Sequence, residues 1–199
     1  MIFFILSAII VLIDRGVKLW IVHALDVGQA LEFLPGILRI THVENTGAAF
    51  SIFENMRWPL VVVSAIAVIV LIFVILMYRD GEAGRLAASF MLGGAAGNLI
   101  DRIATGRVTD MFEPEFVNFA VFNVADIFVT VGCFIFVGHL IYLMVEQSRQ
   151  KKSADVPATQ KSETEEPPEN GAPADEQVLT EGQILADYYM EQGLDDSDS

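Results

Sequence analysis

The stretch F-N-V-A-D-I-F-V-T-V-G-C-F-I-F-V-G-H-L-I-Y-L-M-V, residues 122–145, decides how the chain is read. It is long and apolar enough to cross a bilayer, which takes about 20 residues of helix. Near its start it carries Asn123 and Asp126. Acids and amides are rare inside membrane spans, where they tend to mark function.

Three further apolar segments accompany it. The expected spans are about 2–22, 58–78, 86–103 and 119–145. The first has no basic start and no small-residue cleavage site after it, so it is expected to be retained. With 53% hydrophobic residues and a mean hydropathy of +0.49, the 199-residue chain reads as an all-α membrane protein. Its formal charge of −14 is unevenly spread. Residues 153–199 carry 13 acids and one lysine, whereas residues 1–152 are close to neutral. The expected organisation is a four-span body, 1–152, followed by an acidic, disordered cytoplasmic tail, 153–199. Within the tail, V-L-T-E-G-Q-I-L-A-D-Y-Y-M-E-Q-G-L has enough apolar residues for a short helix. No basic stripe is present to meet nucleic acid. Cys133 is the single cysteine, excludes an intrachain disulfide, and reads as a small core residue.

Arg79 and Arg85 lie in the short link between spans two and three, and Arg149, Lys151 and Lys152 follow span four. This bias puts both termini in the cytoplasm and the two longer links, about 23–57 and 104–118, outside. The first outer link contains L-E-F-L-P-G-I-L-R-I-T-H-V-E-N-T-G, short apolar runs broken by turn residues. It is expected to form a small extracytoplasmic β-sheet.

Polar residues within or beside the spans fall into sets. Asp14 and Lys18 are four apart and share a helix face, where they can pair. Asn98, Asp101 and Arg102 stand in N-L-I-D-R; Asp101 and Arg102 could form a helix-end ion pair. Gly93 and Gly97 form a G-x-x-x-G packing pattern. Asn123 and Asp126 repeat the N-x-x-D spacing of Asn98 and Asp101, which on a helix puts amide and carboxylate on one face. Asp110, in V-T-D-M-F, lies on the outer side where span four begins, so Asp110 and Asp126 could meet there. Two adjacent carboxyls share a proton, so one can take a proton from water while the other polarises a carbonyl. His23, His42 and His139 have no zinc-motif spacing, and neither a metal nor another cofactor is expected. On the residues alone three readings stand: an aspartic peptidase, an ion- or proton-coupled transporter or channel subunit, and a four-span scaffold.

Five motifs, D-R-G-V-K, E-N-T-G-A-A-F-S, G-G-A-A-G-N-L-I-D-R, V-T-D-M-F and F-N-V-A-D, together resemble the lipoprotein signal peptidase (signal peptidase II) family. They occur in the family's order and cover about residues 10–130. The resemblance implies an intramembrane aspartyl endopeptidase of the bacterial cytoplasmic membrane, with its active site near the outer face. Such an enzyme removes signal peptides from diacylglyceryl-modified prolipoproteins, cutting just before the lipidated cysteine. It implies Asp110 and Asp126 as the catalytic pair. Asn45, Asn98, Arg102 and Asn123 match substrate-contacting or dyad-supporting positions, and Asp14, Lys18 and Asp101 match supporting ones. The implied partners are prolipoproteins and membrane lipids. Ile127 stands where relatives often have serine, and the acidic tail has no counterpart in the pattern.

Overall fold

A computed structural model describes residues 1–47 and 56–154. The elements are α1 (Ile2–Ala24), β1 (Ala30–Leu34), β2 (Leu38–Asn45), α2 (Arg57–Met77), α3 (Glu82–Ala104), β3 (Val108–Pro114) and α4 (Val124–Ala154). The first three helices fall within a few residues of the expected spans. The fourth differs at both ends. It starts at Val124 and not Phe119, because Phe122 is held extended by backbone bonds to Phe112. It continues past Val145 to Ala154. The expected acidic tail and its short terminal helix lie outside the described residues.

The distribution of polarity is inverted relative to a water-soluble protein. Asp14, Lys18, Asn98, Asp101, Asp110 and Asn123 are all buried, while Trp20, Phe73 and Phe134 are exposed. Single exposed apolar residues are ordinary, but whole apolar helix faces are a surface for another apolar phase. Two helices, α2 and α4, are long and apolar enough to cross a membrane on composition alone. α1 and α3 each match that length, with 23 residues, but carry the charged groups on their inward faces. Cys133 is exposed on α4, contrary to the core position expected for it. The preceding residue, Gly132, is the one that meets Met91 and Ala87 of α3.

α3 is the central helix, packing on α1 and α2. Its small residues permit this approach. A β-carbon on Gly93 would lie 2.6 Å from Cβ of Ile10, and one on Gly97 would lie 2.5 Å from Oδ2 of Asp14. The G-x-x-x-G pattern therefore receives α1. The adjacent Gly94 receives α4, with its hypothetical Cβ 2.3 Å from the Ala125 carbonyl oxygen. Phe3, Leu71, Ile75, Ala88 and Leu92 form one apolar cluster between α1, α2 and α3. Ile21, Leu25 and Met111 form another, which fixes the end of α1 against β3.

The sheet has the order β1-β2-β3 and is antiparallel throughout. Its first two strands come from the first link, as expected. The third was not expected and comes from the second link; it pairs Asp110 with Val43. The alternation in V-T-D-M-F-E is consistent with a strand, but a seven-residue strand needs a partner, and β2 supplies it from over 60 residues away.

These contacts make Gly94→Ala a packing defect without a change of polarity. Overpacking of this kind typically costs about 1–3 kcal/mol. Thermal unfolding in detergent should show Gly94→Ala destabilised. Gly138→Ala, where nothing lies within 4 Å of the added methyl group, should be as stable as the parent or slightly more so.

Candidate active site

The site begins with a helix cap. The side-chain oxygen of Asn123 accepts the Asp126 N–H at 3.0 Å, and Oδ2 of Asp126 accepts the Asn123 N–H at 3.1 Å. This reciprocal pair is a capping box, which satisfies backbone donors that a helix start leaves free. The N-x-x-D spacing in span four is thus a helix terminus and not a shared helix face as expected. It puts Asp126 in the first turn of α4, where the helix dipole favours an anionic side chain. Another free donor of this turn, the Ala125 N–H, bonds Oδ1 of Asp14 at 2.9 Å.

β3 brings the second carboxyl. The Phe122 carbonyl accepts from the N–H groups of Met111 and Phe112, holding the entry to α4 against the strand that carries Asp110. Nδ2 of Asn123 then donates to Oδ1 of Asp110 at 2.6 Å, and Nδ2 of Asn45 donates to Oδ2 at 2.8 Å. Oδ1 of Asn45 accepts the Gly47 N–H at 2.9 Å, which orients the amide. Nδ2 of Asn98 donates to Oδ1 of Asp126 at 2.9 Å. Each of the four carboxyl oxygens thus accepts from an N–H group, and Asn123 touches both acids.

Burial pushes the Asp110 carboxyl up to about 6. The amides of Asn45 and Asn123 oppose that rise, and the neighbouring Asp126 charge adds to it. The Arg102 guanidinium lies close enough to attract both acids, and donates to the Gly47 carbonyl at 3.3 Å. Arg102 does not pair with Asp101 as an ion pair, contrary to one expectation. Asp101 instead meets Arg15 and Lys18, across the α1–α3 contact. The expected Asp14–Lys18 pair is present at 2.8 Å.

A cavity of about 480 Å³ opens on these groups. Asn45, Asn98, Arg102, Asp110, Asn123 and Asp126 give it one polar wall. Phe119, Ile127, Thr130 and Val131 contribute to a largely apolar wall. Six of the nine expected site residues therefore meet at one cavity. Asp14, Lys18 and Asp101 do not line it; they sit behind Asn98 and the start of α4. Sequence reasoning did not single out Arg15, whose partner Asp101 is 86 residues away and bears no local mark of it. It also left the apolar wall unread, since Thr130 and Val131 look like any span residues and Ile127 stood out only against the family pattern.

Comparison with known proteins gives a consistent result. The family model for signal peptidase (SPase) II matches residues 6–142. A lipoprotein signal peptidase of Enterococcus faecalis is 36% identical over 152 residues, 76% of this chain and 92% of that protein. One from Lactiplantibacillus plantarum is 39% identical over 140 residues, 70% of this chain and 94% of that protein. A bacterial membrane enzyme solved by the in meso method at 2.3 Å superposes with a TM-score of 0.67 at 28% identity, covering 73% of this chain and 88% of that one. With its family-model match covering well over half its length, and with helices suited to a membrane, this chain belongs to the signal peptidase II family and is an aspartic-type peptidase.

Proposed function

We propose that Asp110 and Asp126 are the catalytic pair of an endopeptidase that removes signal peptides from diacylglyceryl-modified prolipoproteins, cutting just before the lipidated cysteine. The relatives' shared name, lipoprotein signal peptidase, supports the substrate class. It favours the peptidase over the transporter and scaffold readings. The observation that carries the residue roles is the joining of two carboxyls through one residue, Asn123, whose backbone N–H bonds Asp126 and whose side-chain nitrogen bonds Asp110, at a cavity with one polar and one apolar wall.

The chemistry follows from the two environments. Asp110 is the acid that keeps the proton, and Asp126, in the first turn of α4, is the base. A water between them gives a proton to Asp126 as its oxygen attacks the scissile carbonyl. Asp110 gives its proton to the carbonyl oxygen, forming a tetrahedral diol. Collapse returns a diol proton to Asp110, breaks the C–N bond, and moves the Asp126 proton to the leaving nitrogen. Asn45, Asn98 and Asn123 hold the acids and offer amide groups to an extended peptide. A peptide must leave its helix to be cut, because helical carbonyls are already hydrogen-bonded.

All four helices cross the bilayer in this reading, with both termini cytoplasmic. Arg79 and Arg85 at one end, with Arg149 and Lys151, support that orientation. The sheet and the dyad then lie at the outer face, where water reaches the acids while acyl chains and the signal helix stay in lipid.

Purified Asp110→Asn and Asp126→Asn proteins, confirmed as folded by thermal melting, should each cleave a diacylglyceryl-modified prolipoprotein at least about 1,000-fold more slowly than the parent. Cleavage at the parental rate by either variant removes the dyad. A second outcome concerns stability. The folded Asp110 carboxyl binds its proton more tightly than the ordinary value of 3.8 would allow, so folding is favoured as pH falls through about 6. Between pH 7 and pH 4 the parent should gain up to about 1.4 kcal/mol per pH unit from this group. Asp110→Asn should lack that increment in pH-dependent unfolding.

A further inference from the structure

The buried cluster behind the dyad contains an ammonium, which can donate hydrogen bonds but not accept them. The Lys18 side chain is 2% exposed. Its ammonium lies 2.8 Å from Oδ2 of Asp14 and 2.8 Å from Oδ2 of Asp101. It donates to Oδ1 of Asn98 at 2.8 Å. Neither of those two carboxylate oxygens has another hydrogen-bond partner, so the ammonium is what balances them. With Arg15 on the other oxygen of Asp101, the cluster holds two acids and two cations and is neutral as a whole.

An ammonium can only donate, whereas an asparagine amide can turn either end outward. With Lys18 on Oδ1, Asn98 must present its NH₂ group to Asp126, as observed at 2.9 Å. The reversed amide would face NH₂ against the ammonium and C=O against the carboxylate, both repulsive. Oδ1 of Asn98 also accepts Nδ2 of Asn123 at 3.2 Å, so the same choice suits the amide that holds Asp110.

We infer that Lys18 is a positioning residue of the peptidase: it locks the Asn98 amide so that Asp126 receives an N–H donor and stays the base of the pair. The inference rests on the dyad reading above. It gives the ammonium a role that reaches the reacting acids through one side chain, without touching substrate. Arg102 from α3 and Asp110 from β3 are the charged groups beside Asp126, whereas Lys18, Asp14 and Arg15 from α1 and Asp101 from α3 lie behind Asn98. Asn45 from β2 and Asn123 at the start of α4 supply neutral donors.

Lys18→Met alone would leave Asp14 buried without a counter-charge, a strongly destabilising change. The test therefore uses Lys18→Met combined with Asp14→Asn, which keeps the cluster neutral and leaves Arg15 on Asp101. The cleavage rate kcat/KM is measured against pH with a diacylglyceryl-modified prolipoprotein. Thermal melting is followed alongside. Loss of the ammonium disfavours ionised Asp110, and loss of the enforced donor leaves Asp126 without its fixed N–H partner, so the pH profile should move upward, with KM changed little. Asn98→Asp, which leaves Lys18 and its acids in place but puts an acceptor against Asp126, should move it in the same direction. Arg15→Met, which loosens Asp101 without touching Asn98, should lower the melting temperature and leave the profile where it was.

A folded Lys18→Met/Asp14→Asn protein with a reduced rate but an unmoved profile overturns the inference, because a merely structural lysine would give that result. If the double variant does not fold, Lys18→Gln combined with Asp14→Asn, which keeps the cluster neutral but can present either end of an amide to Asn98, decides by the same criterion. Asp126→Asn is assayed in parallel. Its inactivity beside an unmoved profile rejects the role of Lys18 alone, whereas cleavage by Asp126→Asn rejects the dyad itself.

Discussion

Asn123 carries the connection on which the site depends. Its backbone N–H and side-chain oxygen close the capping box with Asp126, and its side-chain nitrogen holds Asp110. One residue therefore fixes where α4 begins, which way Asp126 points, and how far β3 lies from both. A cap is worth roughly 1 kcal/mol in an ordinary helix. Here the same bonds also hold the two acids of the proposed dyad, since Asp126 Oδ2 and Asp110 Oδ1 are among the oxygens they satisfy.

The remainder of the fold holds this group of charged and amide side chains inward and presents apolar helix faces outward. Small residues on α3 let α1 and α4 come close enough for Asp14, already paired with Lys18 on its own helix, to reach the Ala125 N–H. The result is a buried polar column running from Lys18 through Asn98 to Asp126. Buried networks of this sort are costly when half-satisfied and rigid when complete. A rigid column suits a site that must distinguish an acid from its conjugate base within a few ångströms.

Much of this was legible in the residues. Four apolar runs gave the helices, and the rare polar groups within them marked four residues that line the cavity, Asn98, Arg102, Asn123 and Asp126, while Asp110 came from the second link and Asn45 from the resemblance. What stayed hidden depended on pairings distant in sequence. Nothing near V-T-D-M-F announces that it adds a third strand to a sheet begun in the other link. Nothing in D-R-G-V-K tells that Arg15 meets Asp101. The N-x-x-D spacing by itself predicts a helix-face pattern in both places. At Asn98 it stands on a helix, but at Asn123 it is a cap, a distinction that turns on where extended backbone ends. Ile127 in the position after Asp126 becomes intelligible in the structure, where it helps form the apolar wall of the cavity.

The central claim is that Asp110 and Asp126 act as neighbours sharing a proton. It is tested most directly by following the titration of the Asp110 carboxyl in the folded protein by infrared or carbon-13 spectroscopy, with Asp110→Asn used to assign the signal. The account places its midpoint at about 6, partly because the Asp126 charge disfavours its ionisation. Replacing Asp126 by asparagine should therefore lower that midpoint, with no change in the fold. A midpoint unmoved by Asp126→Asn would show that the two acids do not sense one another, and would contradict the account.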